Sequence, residues 1–205
     1  IHLKAGDKAR AAAVLELAGR LGFLQTAEER LRLVTLTAQL GAPFEAASTL
    51  TTMLERKQVQ ANGDNWKLLA SLWIAARESK PALTALDEAI RLAPSAELYQ
   101  QLAQQHMDRE EYPEAARALE AAIGRGARDG GTLMALGLAR YQQADIEGAL
   151  AVFRDAAGQA ATRKTAAEWV KYLESGKARE QALAAAADRR ERKDDGVILG
   201  GLFSS

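Results

Sequence analysis

One spacing constrains this chain more than any other feature. Ala115, Leu119 and Ala122 recur as Ala149, Phe153 and Ala156, and Leu102 recurs as Leu136, all at one constant offset. Trp66, Leu69, Ala82, Leu86 and Ala89 precede Tyr99, Leu102, Ala115, Leu119 and Ala122 by an offset shorter by a single position. A fixed period of this length, with small residues where two helices must touch, specifies a helical solenoid whose units pack on their neighbours. Solenoids present extended surfaces, so the period points to binding before any motif is considered.

Composition supports helix nearly throughout. The 205 residues are rich in Ala, Leu, Glu, Arg and Gln, all good helix formers, with four prolines and 5% aromatics. Lys plus Arg and Asp plus Glu are 27 each, so the net charge is zero. That lacks the basic excess of a nucleic-acid binder, and no nucleic-acid partner is expected. The absence of cysteine removes disulfides, thiolate metal sites and cysteine nucleophiles together, and fits a periplasm or a cytoplasm equally. No apolar run reaches the roughly 18 residues of a spanning helix. The chain opens inside a helix pattern without an initiator Met, which reads as a fragment or a processed form.

The organisation follows from the period. Residues 1–26 read as a half-repeat, the second helix of a truncated unit. Residues 27–163 hold about four units, with helix pairs expected over Ala27–Asn62, Gly63–Pro94, Ala96–Gly126 and Gly130–Gly158. Ala46 and Ala82 stand further apart than the period allows, so a two-residue insertion belongs near QVQANG. Asp64 or Asn65 is the expected N-cap of one helix, and Pro113 is expected to start another. Residues 164–193 read as a covering helix with Trp169, Tyr172 and Leu173 on its apolar stripe. Residues 194–205 form an apolar tail, and Val197–Phe203 is expected to dock on a repeat surface or to mediate self-association.

The Leu136-Gly137 pair, followed by Ala149, Phe153 and Ala156, resembles the tetratricopeptide repeat (TPR) pattern. The resemblance implies an all-α fold: a right-handed α-solenoid of antiparallel helix pairs whose concave groove takes a protein or peptide partner. More narrowly, GDNWKLLASLWIAAR, LDEAIRLAPSAELYQQLAQ and KTAAEWVKYLES resemble the periplasmic TPR protein associated with bacterial TonB–ExbB–ExbD systems. That resemblance implies a periplasmic accessory factor in energy transduction for iron uptake. An assembly or regulatory adaptor of another bacterial complex, self-associating or not, is the alternative, with the cytoplasm as its alternative location.

In this family the first helix of each pair lines the groove. Helical phase places Lys67, Ser71 and Ile74 there, then Gln100, Gln104 and Met107, then Met134, Leu138 and Tyr141. These nine are the candidate partner-binding residues. The opposing reading of the apolar ones is burial against a neighbour or the tail. His2 and His106 lie far apart and make no metal signature, and His106 reads as structural. No phosphate loop, dinucleotide fingerprint or nucleophile elbow is present, so no enzyme, cofactor or metal is expected. Asp87-Glu88 and Glu110-Glu111 read as solvated surface. Trp66 and Trp73 read as core.

Overall fold

The computed structural model describes residues 10, 11, 13, 14, 17–19 and 22–202, with side chains through 186. All regular structure among the described residues is helical. The helices are α1 (Ala27–Gln39), α2 (Pro43–Glu55), α3 (Gly63–Ala75), α4 (Ser79–Leu92), α5 (Ala96–Asp108), α6 (Tyr112–Ile123), α7 (Gly130–Gln142), α8 (Ile146–Ala157) and α9 (Arg163–Leu202). They fall into two compact units, Ile1–Ala127 and Arg128–Ser205.

Helix starts repeat with the period. Thr26, Asn62, Ser95 and Asp129 are the N-caps of α1, α3, α5 and α7, and each side chain accepts from the backbone N–H three residues on. Asn62, rather than Asp64 or Asn65, is therefore the cap of α3. Thr26 and Glu29 complete a capping box. Pro113 sits in the first turn of α6, where its missing N–H costs nothing.

The turns inside the pairs repeat as well. Gly41, Arg77, Glu110 and Ala144 all adopt positive φ, near 84°, 60°, 59° and 61°. Each is followed by a residue whose N–H bonds five residues back: Ala42 to Thr37, Glu78 to Trp73, Glu111 to His106 and Asp145 to Arg140. These are Schellman turns, and each closing residue is the N-cap of the next helix. Such short connections return the chain antiparallel. Three of the four left-handed positions carry a side chain, which costs about 1–2 kcal/mol each.

In the first unit, α1 to α5 contribute to one core cluster, in which Val34, Ala46, Leu50, Ala82, Leu86 and Ala89 are fully buried. The two-residue insertion lies between Lys57 and Asn62. Buried Val59 anchors that loop, while Arg30 donates to the Gln58 carbonyl and Asn65 to that of Gln60.

In the second unit, α7 packs on α8 and α8 on α9. Gly137 lies against the fully buried Phe153 ring, and a Cβ there would come within 2.5 Å of it. The equivalent pairs in the first unit are Ala70 with Leu86 and Ala103 with Leu119. The last pair thus exchanges Ala and Leu for Gly and Phe at one contact. α9 runs to Leu202, beyond residue 193 where the sequence ends the covering helix. The docking expected of Val197–Phe203 concerns side chains outside those described.

Candidate functional site

The first-helix positions of the first unit are mixed in chemistry and in exposure. Lys67 on α3 pairs with Glu97 on α5 at 2.6 Å. Ser71 is exposed and its hydroxyl donates to the Lys67 carbonyl. Ile74 is half-buried against the core cluster. On α5, Gln104 is exposed and donates to the Asp108 carboxylate at 2.7 Å, while Gln100 and Met107 are half-buried. The sequence-chosen residues of this unit therefore keep polar atoms at the surface of α3 and α5. The Lys67–Glu97 pair is an exposed one, so exchanging its partner costs little.

The second unit differs. Met134, Leu138 and Tyr141 on α7 are half-buried and pack on a cluster formed by Ala149, Leu150, Phe153 and Leu173. Trp169 and Val170 of α9 join the same cluster. Met134, Leu138 and Tyr141, expected on the groove face, thus lie half-buried with α9 residues in one cluster. Trp169 stacks on Phe153 at 5.3 Å with the planes 13° apart. Tyr141 meets Trp169 edge-on at 5.3 Å and Tyr172 at 6.4 Å. Two ion pairs tie α9 to α8, Arg154–Glu174 at 2.6 Å and Lys177–Glu147. From Ala178 to Ala186 every α9 side chain is exposed.

His106 is a structural residue, as its place in the repeat suggests. Its Nδ1 donates to Glu111 Oε2 at 2.7 Å, and Arg109 holds the other carboxylate oxygen. Glu111 is thus engaged rather than merely solvated. Hydrogen bonds from Arg109 first and His106 second bring its carboxyl down from the ordinary 4.5 to about 2. Asp87 is pushed the other way, upward, by burial. Glu88 is a surface group paired with Arg91. Trp73 is core, edge-on to Phe44 at 5.5 Å. Trp66 is half-buried and lines a mostly apolar cleft of about 350 Å³ with Leu54, Leu69, Pro81 and Ala85. Among the described residues, no group of three or more His, Cys, Asp or Glu is arranged to hold a metal, and no helix is long and apolar enough to cross a membrane.

No protein-family model and no curated protein sequence matches this chain. Solved structures do match in shape. The crystal structure of MamA protein superposes with a TM-score of 0.64 at 20% identity, covering 78% of this chain and 86% of that one. The C-terminal part of a TPR repeat-containing protein from Cytophaga hutchinsonii gives 0.67 at 14% identity, over 84% of this chain and 67% of that one. YrrB, a TPR protein with an unusual peptide-binding site, gives 0.63 at 15% identity, over 81% and 84%.

The fold is that of the tetratricopeptide repeat.

Within the TPR frame, the capping residues at positions 26, 62, 95 and 129 mark the starts of the units, and the left-handed turns at 41, 77, 110 and 144 mark the bend inside each pair. The faces compared above occupy equivalent places on successive first helices.

Proposed function

We propose that this chain is a non-enzymatic interaction scaffold that takes an extended peptide on the first-helix face of its first unit. Lys67, Ser71, Gln100 and Gln104 supply polar contacts there, and Ile74 and Met107 supply apolar ones. The observation that carries the reading is the pair of exposed groups, Ser71 and Gln104, standing at the places where the second unit carries the packed Leu138. The fold likeness to YrrB, whose described property is an unusual peptide-binding site, supports the same class of function. In this reading Tyr141, Leu138 and Met134 hold α9 in place and contribute at most an edge to binding. The partner class is a protein of a TonB-type envelope system in the periplasm, supported by the sequence likeness of the three segments around Trp66, Leu86 and Trp169. An adaptor role in another bacterial complex is the alternative.

A photoreactive residue at Ser71 or Gln104 tests the face. Crosslinks from both positions to one partner, absent from Arg117 on α6, are expected. Crosslinks only from Arg117 or from Thr84, beside the Trp66 cleft, would move the binding surface to the second helices. Identifying the captured protein as a component other than TonB, ExbB or ExbD would retain the scaffold and discard the narrower role.

A further inference from the structure

Thr165, Glu168, Trp169 and Tyr172 follow one another at steps of three, one and three, which aligns them on one stripe of α9. With Tyr141 of α7 they line a cleft of about 350 Å³. This is the size range of small-ligand sites. Three of the five lining residues are aromatic, and their rings stand at steep angles: Tyr141 to Trp169 at 61°, Tyr141 to Tyr172 at 74° and Trp169 to Tyr172 at 88°. Trp169 is fixed from behind by its stack on Phe153. The Tyr172 side chain beside it raises the Tyr141 phenol above its ordinary value. Tyr172 is 59% exposed, so its ring is accessible from solvent.

The lining of this cleft carries a single charged group, Glu168. Aromatic faces are negative through their quadrupoles. Glu168 adds a carboxylate that forms no ion pair among the described residues, and no Lys or Arg lines the cleft. A cation held over such faces within about 6 Å is attracted, more so with a carboxylate beside it. A quaternary ammonium carries its charge on an apolar surface with no N–H to hydrogen-bond, which matches a cleft of three aromatic rings beside one carboxylate.

We propose that Tyr141, Glu168, Trp169 and Tyr172 form a site for a quaternary ammonium head, free or carried on a modified lysine side chain. The site is independent of the peptide-binding face proposed for the first unit.

The test is an NMR titration of the full chain, following the indole Nε1–H signals of its three tryptophans, with choline, with a trimethyl-lysine amide, and with 3,3-dimethylbutan-1-ol, the uncharged isostere of choline. The Trp169 signal is expected to shift saturably with both cations and to bind the isostere more weakly, while Trp66 and Trp73 stay in place. Tyr172→Ala and Glu168→Gln are each expected to weaken cation binding about twofold to fivefold. Tighter binding of the trimethyl-lysine amide than of choline assigns the head to a modified protein, and the reverse assigns it to a free ligand. Equal binding of the isostere, or a Trp169 signal that never shifts, overturns the proposal.

Discussion

Three equivalent positions on successive first helices meet different fates in the two units. In the first unit they are Lys67, Ser71 and Ile74, then Gln100, Gln104 and Met107. In the second they are Met134, Leu138 and Tyr141, and there α9 joins them in one apolar cluster. The polar versions stay at the surface, tied by Lys67–Glu97 and Gln104–Asp108. The same geometric slot is thus open to solvent where its residues are polar and packed where they are apolar. Apolar character on a repeat face marks the place where another helix has to land, because a terminal unit must bury what an internal one shares with its neighbours.

The largest effect is expected from removing the anchor of α9. Trp169→Ala is expected to cost about 3–5 kcal/mol, the range for losing a packed aromatic. Hydrogen exchange should then speed up in α7 and α8 and leave α1 to α5 unchanged. Uniform loss of protection across the chain would show that the units do not behave separately.

Two tight contacts come next. Gly137→Ala places a methyl against Phe153 and is expected to cost about 1–3 kcal/mol. Adding Phe153→Leu recreates the Ala–Leu pairing of the first unit and should recover most of that loss. A denaturation midpoint for the double variant no better than the single would remove the exchange argument. Ala149, fully buried, should tolerate Leu no better, with a similar cost of about 1–3 kcal/mol.

The left-handed turns predict a gain. Ala144→Gly relieves a positive φ that Gly41 already carries with glycine, and should stabilise by up to about 1 kcal/mol. A lower melting temperature would mean that the Ala144 turn is not strained.

The smallest effect is on acid stability. Glu111 is held near 2 when folded and titrates near 4.5 when free, so the unfolded chain takes up the proton first. Its contribution is complete above pH 4.5 and disappears as pH falls through 2. Glu111→Gln should flatten that part of the stability profile, and an unchanged acid limb would place the pH dependence elsewhere.

Much of this fold is legible in the sequence, and the limits are specific. The repeat register carries the helix pairs because Ala82, Ala115 and Ala149 sit where only a small side chain fits between paired helices. The same register, run back one period from Ser95, reaches Asn62. Composition instead favours Asp64 and Asn65, which lie in the first turn, where the backbone is already helical. The turn positions Arg77 and Glu110 are invisible to a search for glycine, since their side chains occupy a conformation that glycine prefers. Helical phase puts Met134, Leu138 and Tyr141 on one face, and all three pack on one cluster. It carries no information about which helix packs on that face, although the Trp169, Tyr172 and Leu173 stripe required a partner, and Trp169 and Leu173 share the cluster with it. The His106–Glu111 contact spans a turn, and its geometry depends on the left-handed Glu110 between them.

The contrast between open and covered faces can be measured directly, because the chain has no cysteine of its own. Single cysteines at Gln104 and at Leu138, equivalent positions in the two units, report accessibility through their rates of thiol labelling. The cysteine at 104 is expected to react freely, while the one at 138 reacts at least about tenfold more slowly, an opening cost of about 1.4 kcal/mol. Trp169→Ala is expected to abolish the difference. Equal rates at the two positions in the otherwise unaltered chain would contradict that contrast.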